Sequence, residues 1–479
     1  MTRTDAPFSG PELCKLSARK AVALLRDGQL SPAELQDAAF ARIETVEPVV
    51  NAVVTPCPER AAKAADNLTP QPDQPGYLAG LPLTIKDLTP VAGVRTTWGS
   101  VGYRDHVPET SDPLVERLES RGGIVIGKTN TPEMGAGANT FNDVFGRTRN
   151  PWNTSRNAGG SSGGAAVALA TGECWLAHGS DLAGSLRTPA AFCGVVGMRP
   201  SPGVAGGGPA PAGFLNEGIP GPMARDVGDV ALFLDAMAGY DPRHPISIAA
   251  PAQSFQNAVD QADAKVHIAF SADQGGFAPV EPEIKQVMAD AMALVTRAGG
   301  EVSDACPALP GLYDTYVTLR GIHYATVPAR QPAAIQQHFK QTLKDNIASG
   351  LALDAQAIFS AQNGRSDLYH IMRRFLQGYD VLAIPVVGQA PGPVEEEFPL
   401  QVAGVKTTDY IDWLRFSFLA TTCALPALSL PIGFTKDGMP VGIQLIGPPR
   451  GDAKLLQVAR AVEDAVGLAT TPIDPIRKH

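Results

Sequence analysis

The spacing of apolar positions changes period several times along the chain. Between residues 15 and 65 it is helical and predicts two helices. Leu30-Ser31-Pro32-Ala33-Glu34 reads as a helix start. It has a hydroxyl at the N-cap, a proline where a missing N–H costs nothing, and an acid three residues on. The apolar run Leu81 to Ile85 predicts a short strand that delivers Lys86. Asp112-Pro113 opens a further helix, and Gly122 can close it. Ile124-Val125-Ile126 then predicts a buried strand. Helix and strand signals alternate through this half, the pattern of an α/β sheet with helices on its faces.

Further on, residues 155–208 are rich in glycine, alanine and serine, and residues 203–215 read as a Gly/Pro loop. Residues 250–400 are less patterned, with helical stretches expected at about 283–298 and 334–348. Val381 to Ile384 and Leu428 to Leu430 predict buried strands. Lys436-Asp437-Gly438 is a hairpin turn leading into a strand at Val441 to Ile446. No repeat and no low-complexity linker interrupts the chain, so one large domain over 1–479 is expected.

The 479 residues are 44% hydrophobic and 18% charged, ample for a large core. A net charge of −9 argues against a nucleic-acid or anionic-membrane surface. No apolar run approaches the length of a membrane span, and Met1 to Gly10 lacks an apolar leader core. A cytoplasmic protein is therefore expected. The six cysteines are scattered without a CxxC pair, and no HExxH or HxH occurs, so no metal site or dithiol is signalled.

One motif misleads. Gly122 to Thr129 matches the phosphate-loop pattern GxxxxGK[ST]. Its variable positions hold Ile124-Val125-Ile126, which is strand material, and Pro132 follows where a helix should continue. A buried strand followed by a turn is the better reading.

The chemistry gathers elsewhere. Gly159-Gly160-Ser161-Ser162-Gly163-Gly164 packs two hydroxyls among four glycines. Tight turns explain the glycines but not the paired serines. Ser180-Asp181-Leu182-Ala183-Gly184-Ser185-Leu186-Arg187 again sets a serine after small residues, where backbone N–H groups can converge. His178 is the histidine nearest this turn, and it reads as a core or loop residue rather than a base.

Together with Lys86-Asp87, these segments resemble the amidase signature family. The intervals agree: 75 residues from Lys86 to Ser161 and 24 from Ser161 to Ser185. The resemblance continues through Pro189 to Gly197, Gly221-Pro222-Met223-Ala224-Arg225 and Pro440 to Gly447. It implies a twisted mixed β-sheet covered by helices on both faces. It divides the chain into N-terminal helices (15–65), a catalytic core (80–240), a variable substrate-pocket region (250–400) and a C-terminal part of the core (400–460).

The resemblance also implies hydrolysis of an amide C–N bond, without cofactor or metal. Ser185 would be the nucleophile, Ser161 the proton relay and Lys86 the terminal base. The bond before Ser161 would be cis. Backbone N–H groups of Leu182, Ala183, Gly184 and Ser185 would form the oxyanion hole. Gly135, Ser161 and Ser162 would meet the substrate, with Met134 and Gly137 on the same loop. Asp181 and Arg187 would pair to hold the turn. Ala183 and Ala158 depart from the family pattern, where glycine and proline are usual, and Arg199 stands where lysine is common. Aromatic residues Phe141, Phe145, Tyr313 and Tyr316 lean toward an apolar or aryl amide, with a carbamate or urea as variants. The expected partner is that small molecule, with a homodimer left open and no nucleic acid or membrane. The alternative is the A-type component of an ammonia-channelling amidotransferase. Thr131-Pro132-Glu133 after Asn130 has the form seen in free-standing amidases.

Overall fold

The computed structural model describes residues 7–71, 73–207 and 212–477. The four central positions of the expected 203–215 loop lie outside the described residues, and so does Met1 to Ala6; what is described of that loop is turn and irregular chain.

Eleven strands make one sheet. In chain order they are β1 (Val53–Pro56), β2 (Pro82–Lys86), β3 (Ile124–Thr129), β4 (Leu176–Asp181), β5 (Val196–Arg199), β6 (Ile219–Ala224), β7 (His267–Phe270), β8 (Glu301–Asp304), β9 (Val381–Pro385), β10 (Ala427–Phe434) and β11 (Pro440–Ile446). Their spatial order is β1-β3-β2-β4-β6-β5-β10-β11-β9-β7-β8. Strand β2 runs parallel to both its neighbours β3 and β4, whereas β4, β6, β5, β10, β11 and β9 pair antiparallel in turn. The sheet is mixed, and helices cover both its faces.

Most predicted elements stand where the pattern put them. The Ser31 hydroxyl accepts from the Glu34 N–H at 3.3 Å, and the Glu34 carboxylate accepts from the Ser31 N–H at 2.8 Å, closing the cap on the helix Pro32–Val50. Asp112 caps the helix Pro113–Ser120 through the Leu114 N–H. Gly438 takes φ 80° in the hairpin turn between β10 and β11.

Three expectations change. Residues 15–65 hold not two helices alone but Ala18–Arg26, Pro32–Val50, the strand β1 and a third helix, Pro58–Asp66. Strand β1 has four residues and ends in proline, too short to show a period; it lies at the sheet edge, where the absent N–H leaves no ladder bond unmade. The stretch 334–348 breaks into Ala333–Gln336 and Gln341–Leu351, because the Lys340 N–H between them donates to Glu133 Oε2 at 2.8 Å. The weakly patterned region also contains two long helices, Leu312–Thr326 and Ala355–Phe375.

The parallel pair β2 and β4 positions the chemistry. Both end at the same edge of the sheet, one on Lys86 and the other on Asp181. The helix Gly163–Thr171 lies buried along its whole length against β4 and β2. Its small side chains let the backbone come close: a Cβ on Gly164 would sit 2.4 Å from the Asn130 nitrogen.

Candidate active site

Lys86 closes an apolar strand and is wholly buried, at 0% exposure. Its side-chain nitrogen lies 2.7 Å from Ser161 Oγ, 2.8 Å from Ser162 Oγ and 3.1 Å from Ser180 Oγ. No carboxylate pairs with it among the described residues. Burial pushes its pKa down to about 7, against a raising influence from Asp181. Ser162 stands at the N-terminal end of the helix Gly163–Thr171, whose positive end also disfavours an ammonium. A neutral amine has two N–H donors and one lone pair, so among three hydroxyls it can donate to two and accept from one.

The serine pair reaches Lys86 because the chain around it is glycine. The Gly160–Ser161 peptide bond is cis, as the resemblance implies. A Cβ on Gly179, on β4, would stand 2.8 Å from Ser162 Oγ and 2.5 Å from Leu186, so only glycine lets the pair approach the strand. Ser162 donates its backbone N–H to the Ser185 carbonyl at 3.1 Å. That bond ties the two serine segments together; Ser185 is 8% exposed and Ser161 2%.

The turn carrying Ser185 is built around Asp181. Its carboxylate accepts from the Gly184 N–H (3.0 Å), the Leu186 N–H (3.1 Å) and two nitrogens of the Arg187 guanidinium (2.7 and 3.0 Å). Burial opposes its ionisation, but the Arg187 charge and these donors outweigh it and hold the carboxyl well below the usual range. The expected Asp181–Arg187 pair is therefore present. The Gly184 N–H, one of the expected oxyanion donors, is directed to the Asp181 carboxylate here. Among the described residues, the N–H groups of Leu182, Ala183 and Ser185 have no protein acceptor. The alanine at 183 is compatible with the turn because Gly184, at φ 84°, and not Ala183 takes the left-handed conformation.

Three supports were not foreseen as parts of the site. Ser180 is the third hydroxyl on Lys86. Arg199, fully buried, donates to the Asp181 carbonyl at 2.6 Å and the Glu217 carbonyl at 2.7 Å. Gln444 accepts from Arg187 and donates to the Phe416 carbonyl at 2.8 Å. Ser180 and Gln444 both stand inside the quoted motifs, but a motif does not say which atom each side chain meets.

The remaining candidates divide. A Cβ on Gly135 would lie 3.6 Å from Ser161 Oγ, so this loop borders the serine pair. Tyr316 is buried, stacks on Phe418 at 3.7 Å and directs its hydroxyl to the Leu182 carbonyl at 3.4 Å. Tyr313 packs on Phe418 as well, whereas Phe141 and Phe145 lie against Arg147, Lys340 and Arg95. His178 is buried with both ring nitrogens unpartnered, and burial holds it neutral, its pKa pushed down to about 3. Lys128 of the phosphate-loop lookalike is a buried strand residue bonded to Asp87 (3.2 Å) and Thr96 (2.7 Å). The glycines before it supply no phosphate loop.

Comparison with known proteins agrees with this geometry. The family described as Amidase matches residues 34–456. An acylamidase of Rhodococcus erythropolis is 35% identical over 94% of this chain and 95% of its own. The A component of the glutamyl-tRNA(Gln) amidotransferase of Anaeromyxobacter dehalogenans (strain 2CP-C) is 32% identical over 97% of this chain and 99% of its own. The crystal structure of a bacterial aryl acylamidase of the amidase signature family superposes with a TM-score of 0.86 at 28% identity, covering 94% of this chain and 96% of that one. With a sheet, a serine pair and a lysine so arranged, and relatives matched over nearly their whole length, the chain belongs to the amidase family and is an amide-hydrolysing enzyme.

Proposed function

We propose that this enzyme cleaves an apolar or aryl amide through an acyl-enzyme on Ser185, with Ser161 as proton relay and Lys86 as base. The observation that carries the reading is Lys86: a buried amine without an acid partner among the described residues, in hydrogen-bond contact with Ser161. An amine held near pKa 7 is uncharged in a large fraction at neutral pH, so it has the lone pair a base requires. Lys86 takes the Ser161 proton as Ser161 takes that of Ser185, and Ser185 Oγ attacks the carbonyl carbon. The N–H groups of Leu182, Ala183 and Ser185 receive the developing oxyanion. The proton returns through Ser161 to the departing amine. Water then repeats the sequence on the ester and frees the acid and Ser185.

An aryl amine leaves with less help from the relay than an alkyl amine does. The similar acylamidase and aryl acylamidase support the same class; a carbamate or urea fits the same chemistry. Steady-state release of aniline from an acyl-anilide, set against ammonia from the matching primary amide, tests the substrate. Preference for the small primary amide would overturn it. A fluorophosphonate should label Ser185, and a label on another serine would overturn the nucleophile.

The similarity to amidotransferase A components supports a second reading, as one part of an ATP-using complex. Turnover of an amide by the purified chain without ATP separates the two.

A further inference from the structure

Buried cations in this protein normally face an acid. Arg187 meets Asp181 at 2.7 Å, Lys128 meets Asp87 at 3.2 Å and Arg42 meets Asp474 at 2.8 Å. Among the described residues Lys86, Arg225 and Arg320 have no acid within ion-pair reach, and of these Arg225 donates to the Leu16 carbonyl. Lys86, its pKa pushed down to about 7 by burial, can relieve the cost of burial by releasing a proton. A guanidinium cannot, and a buried charge left without a counter-ion is expensive.

Arg320 is 4% exposed, on the helix Leu312–Thr326. Its polar partners are phenols: Nη2 donates to Tyr324 Oη at 3.2 Å and to Tyr410 Oη, and Tyr316 adjoins it. The guanidinium lies over the Tyr324 ring at 4.5 Å and near the Tyr410 ring at 5.3 Å. Among the described residues no carboxylate pairs with it, and its Nε has no partner.

The cluster adjoins two segments next to the proposed catalytic residues. On one side Tyr316 reaches the Leu182 carbonyl of the oxyanion turn at 3.4 Å. On the other, Tyr324 belongs to the buried apolar cluster that also holds Ala136 of the loop beside Ser161, and Met134 packs against that cluster. One turn on, at His323, the imidazole Nδ1 is also buried without a partner. A Cβ on Gly218 would lie 3.5 Å from both His323 Cε1 and Leu182 Cδ1, which places His323 across from the same turn.

We propose that Arg320, with its tyrosines and His323, is the anion-binding end of the substrate pocket, and that the preferred amide carries a carboxylate away from the scissile bond. The carboxylate is the counter-ion that no described residue supplies. Phenol hydroxyls can turn to donate to it, and the fork of the guanidinium matches its two oxygens. This rests on the catalytic reading above and adds the substrate class to it.

The experiment compares anilides of ω-carboxy acids with two to five methylenes against neutral alkyl anilides of the same length, and 4-acylaminobenzoates against plain anilides, following amine release. At least one carboxylate series should exceed its neutral partner in kcat/KM by on the order of tenfold to a hundredfold, chiefly through KM. Arg320→Met should remove that preference while still cleaving the neutral anilide, and Arg320→Lys should keep part of it. No preference in either series, or an equal loss on charged and neutral substrates in Arg320→Met, would overturn the proposal. Should Arg320→Met not fold, short dicarboxylates should inhibit wild-type hydrolysis of a neutral anilide competitively, and their failure to do so would overturn it equally. Loss of neutral-anilide turnover in Ser185→Ala tests the catalytic reading separately, so the two can fail independently.

Discussion

Lys86 and Lys128 lie on neighbouring parallel strands, one residue apart in register, and both are fully buried. Side chains alternate across a sheet, so Lys86, level with Thr129, and Lys128, level with Ile85, point to opposite faces. Burial pushes both pKa values down. Their surroundings then diverge. Lys128 has the Asp87 carboxylate at 3.2 Å, which opposes the lowering that burial imposes and favours its charged form. Lys86 has three serine hydroxyls and only the more distant influence of Asp181. Equal burial thus goes with an ion pair on one face and, on the other, an amine among hydroxyls, the one proposed as the base. The deciding variable is the partner within hydrogen-bond reach, not depth.

Substitution breaks this comparison most directly. Ser185→Ala or Lys86→Met should each lower kcat by about 10²–10⁴ or more while the protein stays folded, measured by anilide turnover and thermal melting together. Lys128→Met should do the reverse. It leaves the buried Asp87 without its cation and should cost about 3 kcal/mol of stability, yet retain turnover per folded molecule. If the two methionine variants behave alike, the division of roles is wrong.

The pH profile sharpens the contrast. With Lys86 as base, kcat/KM should rise with pH through about 7 and flatten above it. Asp181 raises the Lys86 pKa, so Asp181→Asn should move this limb to lower pH as well as reduce kcat through the loosened turn. An unmoved limb would exclude Asp181 as an electrostatic neighbour of the base.

The smallest effect is on stability. The native Lys86 pKa of about 7 lies below that of an unfolded lysine, so between the two the unfolded chain binds the extra proton. Wild-type stability should therefore rise with pH across that window relative to Lys86→Met, by at most about 1.4 kcal/mol per unit. Denaturant melts at pH 7 and pH 9 measure it; a constant difference would mean that Lys86 keeps its proton in the native state.

Legibility in the sequence followed the range of the interactions. Caps, turns and apolar runs are local, and Ser31, Asp112, Gly438 and β2 stood where their neighbours predicted. Strand β1 and the break at Lys340 did not. The strand exists only because β3 offers it an edge, and the break only because Glu133, 207 residues away, captures an N–H. The proposed catalytic residues Lys86, Ser161 and Ser185 were picked out through the resemblance, whose glycine-flanked hydroxyls and strand-end lysine fall in a distinctive order. Ser180, Arg199 and Gln444 were not assigned to it, although all three stand in plain view.

The sequence by itself determined the family, the α/β sheet and the three residues proposed to do the chemistry. Periodicity, capping chemistry and motif spacing are properties of adjacent residues, and they survive without a third dimension. Only the tertiary structure decided which N–H groups of the Ser185 turn remain available, since that depends on where the Asp181 carboxylate points. Only it set the surroundings of Lys86, three hydroxyls, apart from those of Lys128, a carboxylate, because those partners come from segments far away in the chain. It alone left Arg320 buried without an acid among the described residues, for the same reason.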